Sequence, residues 1–76
     1  MRITAECKLI NVNKKISKGK VPYLQISGVN KIGNEFFSTY SLNQDLVQKQ
    51  LKKNYRFIFN YNFSTKDFRI VEIQEL

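Results

Sequence analysis

Hydrophobic and polar residues alternate at the start of the chain with the two-residue period of a half-buried strand. The apolar positions that share one face of residues 1–12 are Ile3, Ala5, Cys7 and Leu9. At Leu9 the phase changes, and Ile10 and Val12 take over the apolar role. A change of phase within a strand predicts a β-bulge, which small barrels use to bend their first strand.

The same period predicts two hairpins further along the chain. In the second strand Leu24 and Ile26 define the buried phase, so Tyr23 is expected on the open face. The predicted elements are a basic loop at 13–20, strands at 21–29 and 35–41 around a turn at 30–34, and strands at 55–63 and 68–73 around a turn at 64–67.

One segment, residues 43–53, carries a helical signal. Asn43 is a suitable N-cap, and Asn54 can close the helix in a left-handed conformation. The apolar stripe of this helix is Leu46, Val47 and Leu51, and Leu42 is expected to pack on Val47. The basic residues at its end, which suit the helix dipole, are Lys49, Lys52 and Lys53.

The predicted order, β-β-β-α-β-β, is that of an all-β domain with one short helix. Five strands with a helix between the third and fourth favour an OB-type barrel formed by residues 1–76 as a single domain. An SH3-like barrel is the alternative architecture, but it lacks a full helix at that place. In an OB barrel the predicted 13–20 loop, the 64–67 turn and the face of strands two and three hold oligonucleotides.

The charge pattern narrows the range of partners. Thirteen Lys and Arg residues oppose six Asp and Glu residues, which gives a net charge of +7 on 76 residues. Six lysines lie between Cys7 and Asn34 with no acid among them, and such a one-signed stretch attracts polyanions. A merely soluble charged surface is the simpler alternative.

Single strands need cations along their phosphates and aromatic rings under their bases, and this sequence interleaves the two. Periodicity leaves open which face of the third strand is exposed, whereas Phe57 and Phe59 are assigned to the core. The candidate nucleic-acid-binding residues are Lys14, Lys15, Lys18, Lys20, Tyr23, Lys31, Phe36, Phe37, Tyr40, Arg56, Lys66 and Arg69.

The sequence lacks the residues and motifs that enzymes and metal-binding proteins need. The chain has no His and one Cys, so it can form neither an internal disulfide nor a Cys/His zinc set. No Gly-rich phosphate loop or paired carboxylates are present, so we expect no enzyme activity, cofactor or small-molecule substrate. Cys7 is expected to be a buried small hydrophobe in a cytoplasmic protein, and no apolar run reaches the roughly 18 residues of a membrane span.

Two short runs carry a family resemblance. Residues 19–23 read Gly-Lys-Val-Pro-Tyr and residues 33–36 read Gly-Asn-Glu-Phe, followed by an aromatic hairpin. This order resembles the small single-stranded-DNA-binding proteins of filamentous phages, which carry Gly-Lys-Pro-Tyr and Gly-Asn-Glu-Tyr runs on a dimeric OB-like fold. The resemblance covers residues 19–73 and implies base stacking for Tyr23, phosphate contact for Lys20 and a binding or protein-contact role for Phe36. Val21 is an insertion relative to that pattern, and the 43–53 helix is absent from it.

The sequence therefore predicts a non-catalytic domain that binds single-stranded DNA or RNA with little sequence preference. The setting expected is replication or protection of a phage, plasmid or other mobile genome in the host cytoplasm, with the protein acting as a homodimer. The alternative is a protein-interaction module, such as an accessory subunit or inhibitor, that docks on an acidic partner.

Overall fold

The computed structural model describes residues 1–76, which form five strands and one short 3-10 turn. The strands are β1 (Arg2–Ile16), β2 (Pro22–Asn30), β3 (Glu35–Ser41), β4 (Asn54–Asn62) and β5 (Asp67–Gln74), and the 3-10 turn is Gln44–Gln48. They close into a barrel in the order β1-β2-β3-β5-β4. The predicted fold class, an all-β five-stranded barrel of OB type, is confirmed, with a single 3-10 turn at the place of the expected helix. No helix in the structure is long and apolar enough to cross a membrane.

Strand β1 is bent by the predicted bulge. Its first half pairs with β4 and its second half with β2, and the register shifts between Leu9 and Asn11. Leu9 is buried, the extra residue Ile10 is exposed, and Val12 packs against the core. The bulge therefore turns β1 from one wall of the barrel to the next.

The second half of β1 runs further than the sequence indicates. It stays paired with β2 as far as Ile16, which lies opposite Pro22. The prediction of a loop at 13–20 is therefore wrong at its start: Lys14 and Lys15 belong to a strand, and the β1–β2 loop comprises residues 17–21. Cross-strand pairing overrides the polar composition from which the loop was inferred.

The predicted helix over 43–53 is also wrong, because only the five residues of the 3-10 turn are helical. Asn43 does cap it, since its side chain accepts a hydrogen bond from the Asp45 amide at 3.2 Å. Leu46 is the one buried residue of the expected stripe, and Val47 and Leu51 are exposed. A single buried side chain supports less than a turn of amphipathic helix.

The backbone beyond the 3-10 turn serves the sheet. The Lys52 amide donates to the Leu9 carbonyl at 2.6 Å, and the Leu9 amide donates to the Lys53 carbonyl at 3.0 Å. Lys52, rather than Asn54, takes the left-handed conformation, and Asn54 begins β4. The ammonium groups of Lys49 and Lys53 lie 5.7 and 5.4 Å from the centre of the Tyr55 ring, where they make cation–π contacts.

The inner faces of all five strands and the 3-10 turn supply the core. The buried apolar residues are Cys7, Leu9, Leu24, Ile26, Leu46, Tyr55, Phe57, Phe59, Ile70 and Ile73. The predicted inward phase of Leu24 and Ile26 and the core assignment of Phe57 and Phe59 are confirmed. Three aromatic rings from β4 thus share the core with six leucine and isoleucine side chains from the other elements.

The open question about β3 is settled by its register with β2. Phe37 lies opposite Gly28 and faces inward, where its ring packs edge-on against Phe57 and Phe59. Phe36 and Tyr40 therefore face outward. Gly28 makes room for this arrangement, because a Cβ there would lie 2.7 Å from the Phe37 ring and 2.8 Å from the Lys8 carbonyl oxygen.

Side-chain hydroxyls help to close the barrel between β3 and β5. These parallel strands share one backbone pairing, between Tyr40 and Arg69. On either side of it, Thr39 Oγ1 donates to the Phe68 carbonyl at 2.5 Å and Ser41 Oγ donates to the Ile70 carbonyl at 2.6 Å. Because Thr39 and Ser41 are held inward by β5, the Tyr40 ring between them is fixed on the outer face.

Candidate nucleic-acid interface

Two tyrosines lie side by side on the outer face of β2 and β3. Tyr23 extends from the start of β2 and Tyr40 from the end of β3, and their ring centroids are 6.1 Å apart with planes at 90°. Both are half-buried, because they pack on each other and border a shallow apolar groove with Val21 and Leu42. We refer to Tyr23 and Tyr40 as the tyrosine pair.

A lysine cluster flanks the tyrosine pair on the side of β1. Its members are Lys14, Lys15, Lys18 and Lys20. Lys14 lies opposite the buried Leu24, so its side chain leaves β1 on the face away from the tyrosine pair. Lys15 lies directly opposite Tyr23 in the β1–β2 ladder, while Lys18 and Lys20 project from the loop at 17–21. All four side chains are exposed, and none is within 4.0 Å of a carboxylate oxygen. The positive charge at this place is therefore left without a protein counter-charge.

Hydrogen bonds within the β1–β2 loop fix its shape. The Ser17 amide donates to the Val21 carbonyl at 3.0 Å, and the Lys20 amide donates to the Ser17 carbonyl at 2.9 Å. The Val21 amide in turn donates to Ser17 Oγ at 3.1 Å, and Lys20 takes a left-handed φ of 62°. The loop thus holds Lys18 and Lys20 close to the first residues of β2, beside Tyr23.

A carboxylate and a guanidinium flank the tyrosine pair on the side of β5. The Tyr40 hydroxyl donates to Asp67 Oδ1 at 2.6 Å, and Arg69 Nε lies 3.8 Å from Asp67 Oδ2. The hydrogen bond to Asp67, together with burial and the negative charge of Asp67, raises the pKa of Tyr40 above its usual value. Tyr40 is therefore a neutral, oriented donor at neutral pH.

The structure does not bring all the predicted residues together. Lys31 lies in the β2–β3 turn, roughly 26 Å along the chain from Tyr23 at about 3.3 Å per strand residue, and its ammonium binds Glu6 at 3.0 Å. Arg56 lies opposite Glu6 in the β1–β4 ladder, so both cations flank one acid. Phe36 is 67% exposed but lies near the same turn.

Two further candidates have fixed places. Phe37 is packed inside the barrel, so it leaves the set of residues that could stack on a base. Lys66 lies in the β4–β5 turn at residues 63–66, with a left-handed φ of 57°, directly before Asp67. Of the twelve predicted residues, those near the tyrosine pair are Lys15, Lys18, Lys20, Tyr23, Tyr40 and Arg69, while Lys14 and Lys66 only adjoin them in sequence.

Sequence reasoning missed two apolar residues of this region and placed a third, which lies in the β4–β5 turn, within a strand. Val21 and Leu42 line the groove beside the tyrosine pair. Phe63 continues the alternating aromatic pattern of β4, yet the strand ends at Asn62 and the ring is 66% exposed, in edge-on contact with Tyr61 at 4.8 Å. The polar turn that follows Phe63 was the available signal that β4 ends before it. A residue beyond the last pair of the ladder does not have to follow the alternation of the strand.

Cys7 is buried, as expected, and lies apart from the tyrosine pair. Burial and the neighbouring negative charge of Glu6 raise the pKa of its thiol. No group of three or more His, Cys, Asp or Glu side chains is arranged to hold a metal ion. No family model matches the chain, and comparisons with curated proteins and with solved structures give no match either.

Proposed function

We propose that this barrel binds single-stranded nucleic acid across the tyrosine pair and catalyses no reaction. The observation that supports this most directly is the position of two outward tyrosines next to Lys15 and the loop residues Lys18 and Lys20, none of which has an acidic partner. Rings on which bases stack, beside cations that neutralise phosphates, are the two components of strand binding without sequence readout. Phosphate contacts then dominate affinity and make it strongly dependent on salt.

The angle between the two rings favours unpaired bases. A base stacked on the face of Tyr23 meets Tyr40 edge-on, because the ring planes are perpendicular. The two rings cannot both join one continuous stack of bases, so a bound strand must break its own stacking here. A single strand does this at much lower cost than a duplex, which must also unpair.

The phage-like motifs support a role in replication or protection of a phage or mobile genome. The Gly-Lys-Val-Pro-Tyr run forms the end of the β1–β2 loop and the start of β2, so Lys20, Val21 and Tyr23 all border the proposed path. Homodimer formation is part of this proposal. The closed barrel leaves few unpaired strand edges on which two copies could meet. The second half of β1, which pairs only with β2, offers such an edge.

That free edge favours a second candidate, which is docking of an acidic protein segment. Between Asn11 and Ile16, β1 pairs with β2 on one side and with no strand on the other. An extended acidic peptide could add there as a strand, with Lys14 and Lys15 as counter-charges. Lysines on an open edge also discourage pairing with other chains, which is the simpler explanation of these two residues.

Fluorescence anisotropy with labelled poly-dT, poly-rU and duplex DNA at two salt concentrations tests the proposal. We expect both single strands to bind more tightly than the duplex, with affinity that falls steeply as salt rises. Equal affinity for the duplex, or no binding at low salt, would contradict single-strand binding. Displacement of poly-dT by an unstructured acidic peptide at equal charge concentration would instead favour the docking function.

A further inference from the structure

Asp67 is an acid on a surface that is otherwise arranged for a polyanion. Neighbouring strands follow the order β1, β2, β3, β5 around the barrel, so Lys15, the tyrosine pair and Asp67 succeed one another across this face. We propose that Asp67 reads the edge of a stacked base and makes the barrel prefer bases that present an amino group, such as cytosine, over thymine and uracil. This inference rests on the proposed single-strand binding and adds a base preference to it.

The distribution of charge sets the orientation of the strand. Phosphates are attracted most strongly to the lysine cluster on the β1 side, because on the β5 side the Asp67 carboxylate offsets the charge of Arg69 beside it. A strand that crosses the tyrosine pair therefore keeps its backbone next to β1. Its bases then extend over Tyr23 and Tyr40 with their free edges toward Asp67.

The Asp67 carboxylate can still accept further hydrogen bonds in its position beside Tyr40. An ionised carboxylate offers about four lone-pair sites, and the Tyr40 hydroxyl occupies one of them on Oδ1. Arg69 Nε, at 3.8 Å from Oδ2, is too distant for a direct hydrogen bond, and the Asp67 side chain is 34% exposed. Tyr40 holds the group in position, so its free lone pairs point from a fixed site.

The chemistry of the base edges gives the preference its direction. Cytosine presents the N4 amino group, a donor that carboxylates accept, whereas thymine presents the O4 carbonyl oxygen at the corresponding position. A carboxylate facing O4 meets a second acceptor and repels it. Cytosine and thymine are both single-ring bases, so their comparison separates edge recognition from differences in ring area.

The test compares short oligo-dC and oligo-dT by anisotropy, at a pH where cytosine is unprotonated, for the native chain, Asp67→Asn and Asp45→Asn. Asp45 is exposed on the 3-10 turn and forms no ion pair, so its substitution matches the change in charge. We expect the native chain to bind oligo-dC about threefold to tenfold more tightly than oligo-dT, as for one partly exposed charged hydrogen bond. Asp67→Asn should bring that ratio close to one and raise the affinity for oligo-dT, whereas Asp45→Asn should leave the ratio unchanged.

The outcomes separate the inference from the function on which it rests. Equal affinity of the native chain for the two oligonucleotides, or an unchanged ratio in Asp67→Asn, would overturn base reading while leaving single-strand binding in place. Failure of the native chain to bind either oligonucleotide would overturn both. The native comparison needs no substitution, so it decides the matter even if Asp67→Asn does not fold.

Discussion

The two ends of the β2–β3 hairpin carry the same kinds of residue and differ in how their charges are balanced. Where β2 begins and β3 ends, Tyr23 and Tyr40 lie beside three lysines without acidic partners, namely Lys15, Lys18 and Lys20. At the turn, Phe36 lies near Lys31, whose charge is compensated by Glu6. Aromatic rings and cations are thus present at both ends, but at the turn end an acid lies among the cations, whereas the lysines of the first end have none within ion-pair distance.

The placement of one acid on the bent first strand explains the difference. Glu6 precedes the bulge, on the half of β1 that pairs with β4, and from there it reaches Lys31 and faces Arg56. After the bulge, β1, the loop and all of β2 contain no acid. The acid-free stretch of sequence therefore forms the β1–β2 hairpin. At the turn that follows it, the charge of Lys31 is compensated by Glu6, which lies outside the stretch.

Loss of the shared core should have the largest effect and should abolish the difference between the two ends. Phe59→Ala removes a ring that stacks on Phe57 and Phe68 at centroid distances of 5.9 and 5.1 Å. We expect a loss of about 3–5 kcal/mol in the free energy of unfolding, enough to leave so small a domain largely unfolded. Urea denaturation followed by circular dichroism measures this, and a folded Phe59→Ala protein that had lost only binding would show that the ring faces the ligand.

The strand phases behind that prediction could be predicted from the sequence because each rested on a long, strict alternation. Leu24 and Ile26 fixed the phase of β2, and Phe57 and Phe59 fixed that of β4. The bulge after Leu9 was recognisable from the change of phase itself. On that basis the outward orientation of Tyr23, the centre of the candidate site, could also be predicted from the pattern.

Features that depend on partners distant in sequence could not be predicted in the same way. The phase of β3 follows from the fit of Phe37 over Gly28, which no local period encodes. The expected helix fails because the backbone of Lys52 and Lys53 binds Leu9 and so extends the β1–β4 pairing. The Tyr40–Asp67 hydrogen bond likewise joins strands that are 27 residues apart in the chain.

Removal of the lysine cluster should have the next largest effect and tests the comparison directly. Replacing Lys14, Lys15, Lys18 and Lys20 by Gln should weaken single-strand binding and reduce its salt dependence. The slope of log affinity against log salt should fall by about 0.7 for each phosphate that is no longer neutralised, or by about 2.8 if each of the four lysines binds one. Anisotropy titrations with poly-dT over a series of salt concentrations measure this slope.

A matched loss of charge elsewhere serves as the control for this effect. The control variant replaces four cations away from the tyrosine pair, namely Lys8, Lys31, Lys52 and Arg56. It lowers the net charge by the same amount, so we expect a small, uniform loss of affinity and a slope close to the native one. Equal slopes in the two variants would mean that binding does not distinguish the two ends.

Substitution of single aromatic residues should give a smaller difference in the same direction. Tyr23→Ala should lower poly-dT affinity about tenfold or more, because stacking on an exposed ring contributes about 1–3 kcal/mol. Tyr23→Phe should keep most of the affinity, since the ring face does the stacking. Phe36→Ala, at the turn end, removes an exposed ring away from the lysine cluster and should change affinity little. Unfolding of Tyr23→Ala with normal affinity per folded molecule would assign this residue to the core instead.

The smallest effect expected is an alkaline change in stability that distinguishes Tyr40 from the rings at the turn end. Asp67 raises the pKa of Tyr40 by accepting its hydrogen bond and by its charge, so the neutral phenol is favoured in the folded state. A raised pKa in the folded state contributes stability that is complete below the unfolded value, about 10 for tyrosine, and is lost as pH rises through the folded value. The difference in unfolding free energy between the native chain and Tyr40→Phe should therefore be constant up to about pH 9 and shrink above about pH 10. Urea denaturation at stepped pH measures this difference, and Phe36→Leu serves as the control because that side chain does not titrate. A native-minus-Tyr40→Phe difference that does not change across the alkaline range would mean that the Tyr40–Asp67 hydrogen bond, and the fixed carboxylate it provides, is absent in solution.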